Sequence, residues 1–156
     1  MDLIINKMSE EYASQIASWK YEPPYDFYNS SASSEGIEEL MELPYYAVLN
    51  SNGELIGFFC IGESAQVPAG AEMGAYSDGF IDIGLGMKPE LTGNGFGFAF
   101  FTRILGYLQV KLHGVLFRLT VAAFNERAVR LYRNVGFEES MRFYRGAIEF
   151  IVMERA

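Results

Sequence analysis

The chain has 156 residues, half of them hydrophobic and 15% aromatic, which suffices for one domain of ~100–200 residues with a sizeable core. Twelve lysines and arginines against 20 acids give a formal net charge of −8, and so acidic a chain repels phosphate backbones, which disfavours nucleic acid as a partner. One cysteine, Cys60, excludes an internal disulfide and a cysteine-rich metal site; one histidine, His113, excludes a zinc site built on two histidines.

Met1-Asp2-Leu3-Ile4 lacks the basic start of a signal peptide, and no apolar run approaches the ~20 residues of a membrane span. A single cytoplasmic domain, 1–156, with no membrane and no metal is the expectation. Residues 1–90 carry 15 acids and three bases, and residues 91–156 carry nine bases and five acids. That split, −12 against +4, suggests a pole that attracts cations and another that tolerates an anion. Drift among surface positions would produce it as well.

In chain order, Leu3–Lys7 reads as a strand, and Ser9 can cap a helix running to about Trp19 with Glu10 and Glu11 at its positive end. Pro23 and Pro24 keep Tyr21–Tyr25 from being helical, Ser30–Ser34 is loop-like, and Glu35–Met41 reads as a short helix. Tyr45–Leu49 and Leu55–Ile61 flank Ser51-Asn52-Gly53, a hairpin signal. Cys60 lies in the second of these apolar runs, so a buried, inert thiol is expected. Ala65–Gly79 reads as loop or irregular strand ends, and Phe80–Met87 as a strand. Beyond Lys88-Pro89-Glu90 the period becomes 3.6, with Phe98, Phe101, Ile104, Leu105, Leu108 and Leu112 on one helix face. Leu116–Ala122 is a strand. Asn125 can cap a second helix whose Ala128, Leu131, Tyr132 and Val135 share a face and which Gly136 ends. Phe143–Tyr144 and Ile148–Met153 supply the last strand material. The order β-α-α-β-β-β-α-β-α-β predicts α/β or α+β architecture around a central sheet.

The sharpest local feature is Pro89-Glu90-Leu91-Thr92-Gly93-Asn94-Gly95-Phe96-Gly97, between a strand and a long helix. Alternate glycines let a ligand approach the backbone and expose its N–H groups, and the helix N-terminus favours an anion such as pyrophosphate. A dinucleotide fingerprint would need glycine where Phe98 stands, and no Gly-Lys-Ser/Thr triplet follows for a Walker loop. A plain strand-to-helix turn is the bland alternative.

Downstream lies Asn125-Glu126-Arg127-Ala128-Val129-Arg130-Leu131-Tyr132-Arg133-Asn134-Val135-Gly136-Phe137. Together the two segments resemble the GNAT superfamily of acetyl-CoA-dependent N-acetyltransferases. That superfamily has a strand, a Q/R-x-x-G-x-G/A loop and a long helix, then a strand followed by N-x-x-A-x-x-L-Y-x-x-x-G-F. The second signature is complete at Asn125, Ala128, Leu131, Tyr132, Gly136 and Phe137, and the resemblance covers about residues 81–153. The first departs at Thr92, where the family has Arg or Gln; a Thr hydroxyl can still donate one hydrogen bond.

The resemblance implies a central mixed, mostly antiparallel sheet flanked by helices, with a splayed strand pair holding acetyl-CoA. It implies pyrophosphate on Thr92, Gly93, Asn94, Gly95, Phe96 and Gly97, and the pantetheine arm along the backbone of Leu85 and Met87. Asn125 and Ala128 would contact the arm, and Tyr132 would protonate or hydrogen-bond the departing thiolate. By periodicity alone, Tyr132 is also a core tyrosine. Gly84 and Gly86 fit a strand that something approaches closely, or a bulge.

For the general base, Thr120 stands where some members place Glu, which leaves Asp82 as the nearest carboxylate on the preceding strand. Alternation sets Asp82 opposite Ile81 and Ile83, either as a sheet-surface acid or as a water-linked base. The segment Trp19, Tyr21, Glu22, Tyr25, Asp26 and Tyr28 would suit a cationic amine through ring faces and carboxylates, or else form a loop packed by its own aromatics. The implied reaction moves acetyl from acetyl-CoA to a primary amine, on a small molecule or a peptide N-terminus, by direct attack in a monomer or homodimer. A non-catalytic acyl-CoA-binding module on the same fold is the alternative.

Overall fold

In a computed structural model, which describes residues 2–23, 25, 34–42, 44–93 and 95–155, the local signals become helices and strands. The described elements are β1 (Ile4–Lys7), α1 (Glu10–Ser18), α2 (Ser34–Glu42), β2 (Tyr45–Leu49), β3 (Leu55–Ile61), α3 (Pro68–Glu72), β4 (Phe80–Met87), α4 (Gly97–Lys111), β5 (Leu116–Ala122), α5 (Glu126–Asn134), β6 (Glu138–Arg145) and β7 (Ile148–Arg155). The strands hydrogen-bond in the order β1-β2-β3-β4-β5-β7-β6. The β4–β5 pair is parallel, whereas β1–β2, β2–β3, β5–β7 and β6–β7 are antiparallel. This is the mixed, mostly antiparallel sheet with helices that the resemblance implies.

The chain divides into two compact units, one of Met1–Cys60 with Leu85–Phe100, the other of Ile61–Gly84 with Phe101–Ala156. In the first, Ser9 Oγ accepts from the Tyr12 N–H at 3.2 Å and so caps α1. The predicted hairpin forms because Asn50 Oδ1 accepts from the N–H groups of Asn52 and Glu54, both at 3.0 Å, while Gly53 takes φ +80. A core of Ala13, Ile16, Trp19, Leu40, Ala47, Leu49 and Leu55 lies between the two helices and the first strands. The Cys60 thiol is buried here, as expected, opposite Tyr45 in the β2–β3 register. The loop expected at Ser30–Ser34 lies outside the described residues, apart from Ser34, which begins α2.

In the second unit, β4 and β5 pair from Phe80↔Leu116 to Ile83↔Leu119, and both strands continue beyond that ladder. Phe101, Ile104, Leu105 and Leu108 of α4 are buried to 2% exposure or less. Each such side chain contributes about 1.5–3 kcal/mol by leaving water. Asn125 Oδ1 accepts from the Ala128 N–H at 3.3 Å and caps α5, which ends where Gly136 adopts φ +101.

Three expectations need correction. Ala65–Gly79 is not all loop, since Pro68–Glu72 forms α3, with Pro68 at a position where its missing N–H costs nothing. Gly70 of α3 rests so close to Phe143 of β6 that a Cβ would come within 2.6 Å of the ring. The last strand material is a hairpin of two eight-residue strands turned by Gly146 at φ +62. Phe98, placed on the apolar helix face, is 58% exposed because the buried stripe starts at Phe100 and Phe101.

Candidate active site

The expected site residues fall in both units, and each group is described within its own. In the first unit, Leu91 and Thr92 close a turn on Lys88 and Pro89, after which Gly93 and Gly95 take φ +76 and +81. Those left-handed angles are readily adopted by glycine only, so the two glycines define the path into α4. Gly93 and Gly95 are exposed, and a Cβ built at Gly95 meets nothing within 4 Å. The first turn of α4 follows at once, with the Phe100 N–H donating to the Phe96 carbonyl at 3.0 Å. Backbone bare of side chains at Gly93 and Gly95, leading into a helix N-terminus, fits a pyrophosphate. Asn94 lies outside the described residues.

Thr92 departs from its expected use. Its hydroxyl donates to the Pro89 carbonyl at 2.7 Å and its N–H donates to the same oxygen at 3.2 Å. Both donors serve the turn itself, so Thr92 shapes the loop instead of offering a proton to phosphate.

Gly86 is approached closely, as expected of this strand. What approaches it is the Phe58 ring, 2.4 Å from where a Cβ would stand, and a Cβ on Gly57 would meet Phe100 at 2.5 Å. Phe58 in turn contacts the rings of Trp19 and Tyr45 at 6.2 and 6.1 Å. Trp19 is therefore a core residue, 9% exposed, and not a lining for an acceptor. Tyr21 behaves differently. Its half-buried phenol donates to the Met87 carbonyl at 2.7 Å, joining a predicted acceptor residue to a predicted cofactor residue. Burial, and then the Glu90 carboxylate, push the phenol up to about 12. Glu22 is exposed and its carbonyl accepts from the Tyr25 N–H at 2.8 Å, whereas Asp26 and Tyr28 lie outside the described residues.

In the second unit, Tyr132 is buried on α5, edge-on to Phe101 at 5.0 Å and to Phe137 at 6.4 Å. Asn125 sits two turns earlier as the cap, with Ala128 donating to it.

Asp82 is not a sheet-surface acid. It is 3% exposed, and Arg118, 1% exposed, grips it through Nε and an Nη at 2.7 and 2.8 Å. Gln66 donates to the same carboxylate at 2.8 Å, so both oxygens are engaged. The guanidinium also donates to the Ser77 carbonyl at 2.9 Å and lies over the rings of Tyr76 and Phe80. Its hydrogen bonds to Asp82 hold its proton more tightly than usual. Tyr76 meets Thr120 Oγ1 at 2.8 Å and accepts from the Val67 N–H at 3.0 Å. Among the described residues no buried side-chain polar atom lacks a partner. The base expected of Asp82 thus becomes half of a buried ion pair. Sequence reasoning missed Arg118, Gln66 and Tyr76, although the signal was present: Asp82 and Arg118 are lone charges in two apolar strands.

Among the described residues no group of His, Cys, Asp and Glu could hold a metal ion, and no helix is long and apolar enough to cross a membrane.

In chain order, a strand, a loop with left-handed glycines and a helix, then a strand and an Asn-capped helix bearing a buried tyrosine, follow the arrangement that the resemblance to the GNAT superfamily implies. Residues 6–137 match the acetyltransferase (GNAT) family, and the chain belongs to that family. Its fold is shared by an aminoglycoside acetyltransferase solved in complex with acetyl-CoA, at 18% identity over 100% of this chain and 94% of that one, with TM-score 0.75. Mutant forms of the spermidine/spermine N-acetyltransferase from Vibrio cholerae match at 20% identity over 98% and 93%, with TM-score 0.66. A GNAT-family acetyltransferase from Bacillus anthracis matches at 11% identity over 99% and 94%, with TM-score 0.71. No curated protein matches the chain.

Proposed function

We propose that the protein transfers an acetyl group from acetyl-CoA to a primary amine that is cationic when free. The observation that carries the donor assignment is the Gly93–Gly95 turn, left-handed at both glycines and open at Gly95 where a side chain would stand. On this reading the loop's backbone N–H groups and the N-terminus of α4 bind the pyrophosphate, and the backbone of Leu85 and Met87 takes the pantetheine arm as an added strand. Acetyl-CoA supplies its acyl group as a thioester. The neutral amine attacks the carbonyl carbon, the C–N bond forms and the C–S bond breaks. The amine's proton leaves to water, and Tyr132 gives its phenolic proton to the departing sulfur and regains one from solvent. Asp82, with both oxygens engaged, is left to hold β4 to β5.

The acceptor enters by way of the acidic N-terminal portion, where Glu22 is exposed, because such a field concentrates cations. Structures of similar fold that act on spermidine and on aminoglycosides support an amine of this kind.

The test is calorimetric binding of acetyl-CoA to Gly95→Ala, with Gly53→Ala as the control. Both positions have φ near +80 and open space, so each alanine costs about 1–2 kcal/mol in backbone strain. Weakened binding in Gly95→Ala alone is expected. Equal affinity in both variants would remove the loop from the donor site.

A further inference from the structure

Backbone groups of a strand face its two edges alternately. At the end of β4, the Lys88 N–H reaches the Ile56 carbonyl of β3 at 2.8 Å. The Gly86 carbonyl also lies beside Gly57 of β3. Gly86 and Lys88 therefore face β3, and Leu85 and Met87 present their N–H and C=O to the opposite edge. The Tyr21 phenol arrives on that opposite edge, where it donates to the Met87 carbonyl at 2.7 Å.

The chain holds Tyr21 there by packing as well as by the hydrogen bond. Trp19, two residues earlier, is buried against Phe58, and the Phe58 ring lies on Gly86. Consecutive residues of β4, Gly86 and Met87, thus receive two side chains linked to the same short segment after α1. The peptide unit joining Met87 to Lys88 is held at both ends, its N–H by the Ile56 carbonyl and its carbonyl by Tyr21, 66 residues away in sequence. The Met87 carbonyl keeps a second lone pair, and the Met87 N–H, on the preceding peptide unit, faces the same edge.

We infer that Tyr21 is a positioning residue for the acyl donor, orienting the Met87 carbonyl against which the donor's amide-bearing arm pairs. The inference rests on the donor assignment above and adds a side chain to it. Tyr21 acts through Met87 and not by contact with the reacting atoms. A strand-like ligand pairs best with peptide groups already aligned, since alignment then costs nothing on binding.

The experiment measures the affinity of the native protein and of Tyr21→Phe for two ligands, coenzyme A and its adenosine bisphosphate portion, which lacks the arm. Tyr21→Phe keeps the ring, and its melting temperature is recorded alongside. Removing one hydrogen bond weakens coenzyme A by about 2- to 12-fold and leaves the armless ligand unchanged. Equal weakening of both ligands would make Tyr21 a general support of the fold and overturn the inference. So would unchanged affinity for coenzyme A. A native protein that binds neither ligand would overturn the donor assignment itself.

Discussion

The phenol of Tyr21 and the carbonyl of Met87 are 2.7 Å apart, so the segment after α1 is tied to the last residue of β4. The bond needs the phenol's proton. In the folded chain Tyr21 titrates at about 12, raised from 10.0 by burial and then by Glu90. A raised folded pKa means that the stabilisation is fully present below pH 10 and is lost as pH rises from there through 12. Tyr21→Phe lacks this term. Its stability therefore falls less steeply than the native chain's across that window, even though Tyr45 and Tyr76 are raised too and act in both proteins. Urea unfolding at a series of alkaline pH values measures the two slopes. Parallel slopes would contradict the buried, raised phenol.

Asp82 and Arg118 predict a stability effect separate from chemistry. Asp82→Asn removes one buried charge and strands the other, which costs about 3–5 kcal/mol. Replacing both by apolar residues of similar volume restores most of it, because two desolvation penalties go together. Turnover by the folded fraction of Asp82→Asn keeps the native pH profile if Asp82 is not the base. A profile that loses its acidic limb in Asp82→Asn would return the base role to this carboxylate.

Gly86 predicts a steric effect within the first unit. A methyl group there would stand 2.4 Å from Phe58, so Gly86→Ala loses about 1–3 kcal/mol by overpacking. Phe58→Leu in the same chain recovers part of that loss, which thermal melts of the single and double variants would show. Additive losses would mean that the ring is not what confines Gly86.

How far the sequence foretold this depends on the distance over which each signal acts. The Ser9 and Asn125 caps, the Asn50–Gly53 turn and the glycine loop are local, and the chain adopts each as its residues dictate. Phe98 went astray because a 3.6-residue period fits Phe98 as well as Phe101, and only the packing of α4 distinguishes them. Within Ala65–Gly79, small residues hid α3, whose Gly70 is settled by contact with Phe143. The Asp82–Arg118 pair and the Tyr21–Met87 bond join residues 36 and 66 positions apart; a lone charge in each of two apolar strands hints at the first, and no local pattern reaches the second. Of the candidate site, the loop and the α5 motif were legible; the partners that now occupy Thr92, Asp82 and Trp19 were not.

Tyr132 predicts a separation of chemistry from binding. Tyr132→Phe keeps the ring contacts with Phe101 and Phe137, so stability and the KM for acetyl-CoA stay near native values. Loss of the proton donor lowers kcat by tens to hundreds of fold, about 2–3 kcal/mol in the barrier. Pre-steady-state thiol release measures it. An unchanged kcat would reduce Tyr132 to core packing.

The most direct measurement is mass analysis of a panel of polyamines, aminoglycosides, amino acids and peptides after incubation with the protein and acetyl-CoA, at low and high salt. One or more cationic primary amines should gain a single acetyl group, with an equivalent of free coenzyme A released. The kcat/KM for that amine should fall as salt screens the field, from a Debye length of ~10 Å at 0.1 M to ~3 Å at 1 M, and fall less in Glu22→Gln. An anionic preferred acceptor, or a panel left unacetylated by protein that binds acetyl-CoA, would contradict the account.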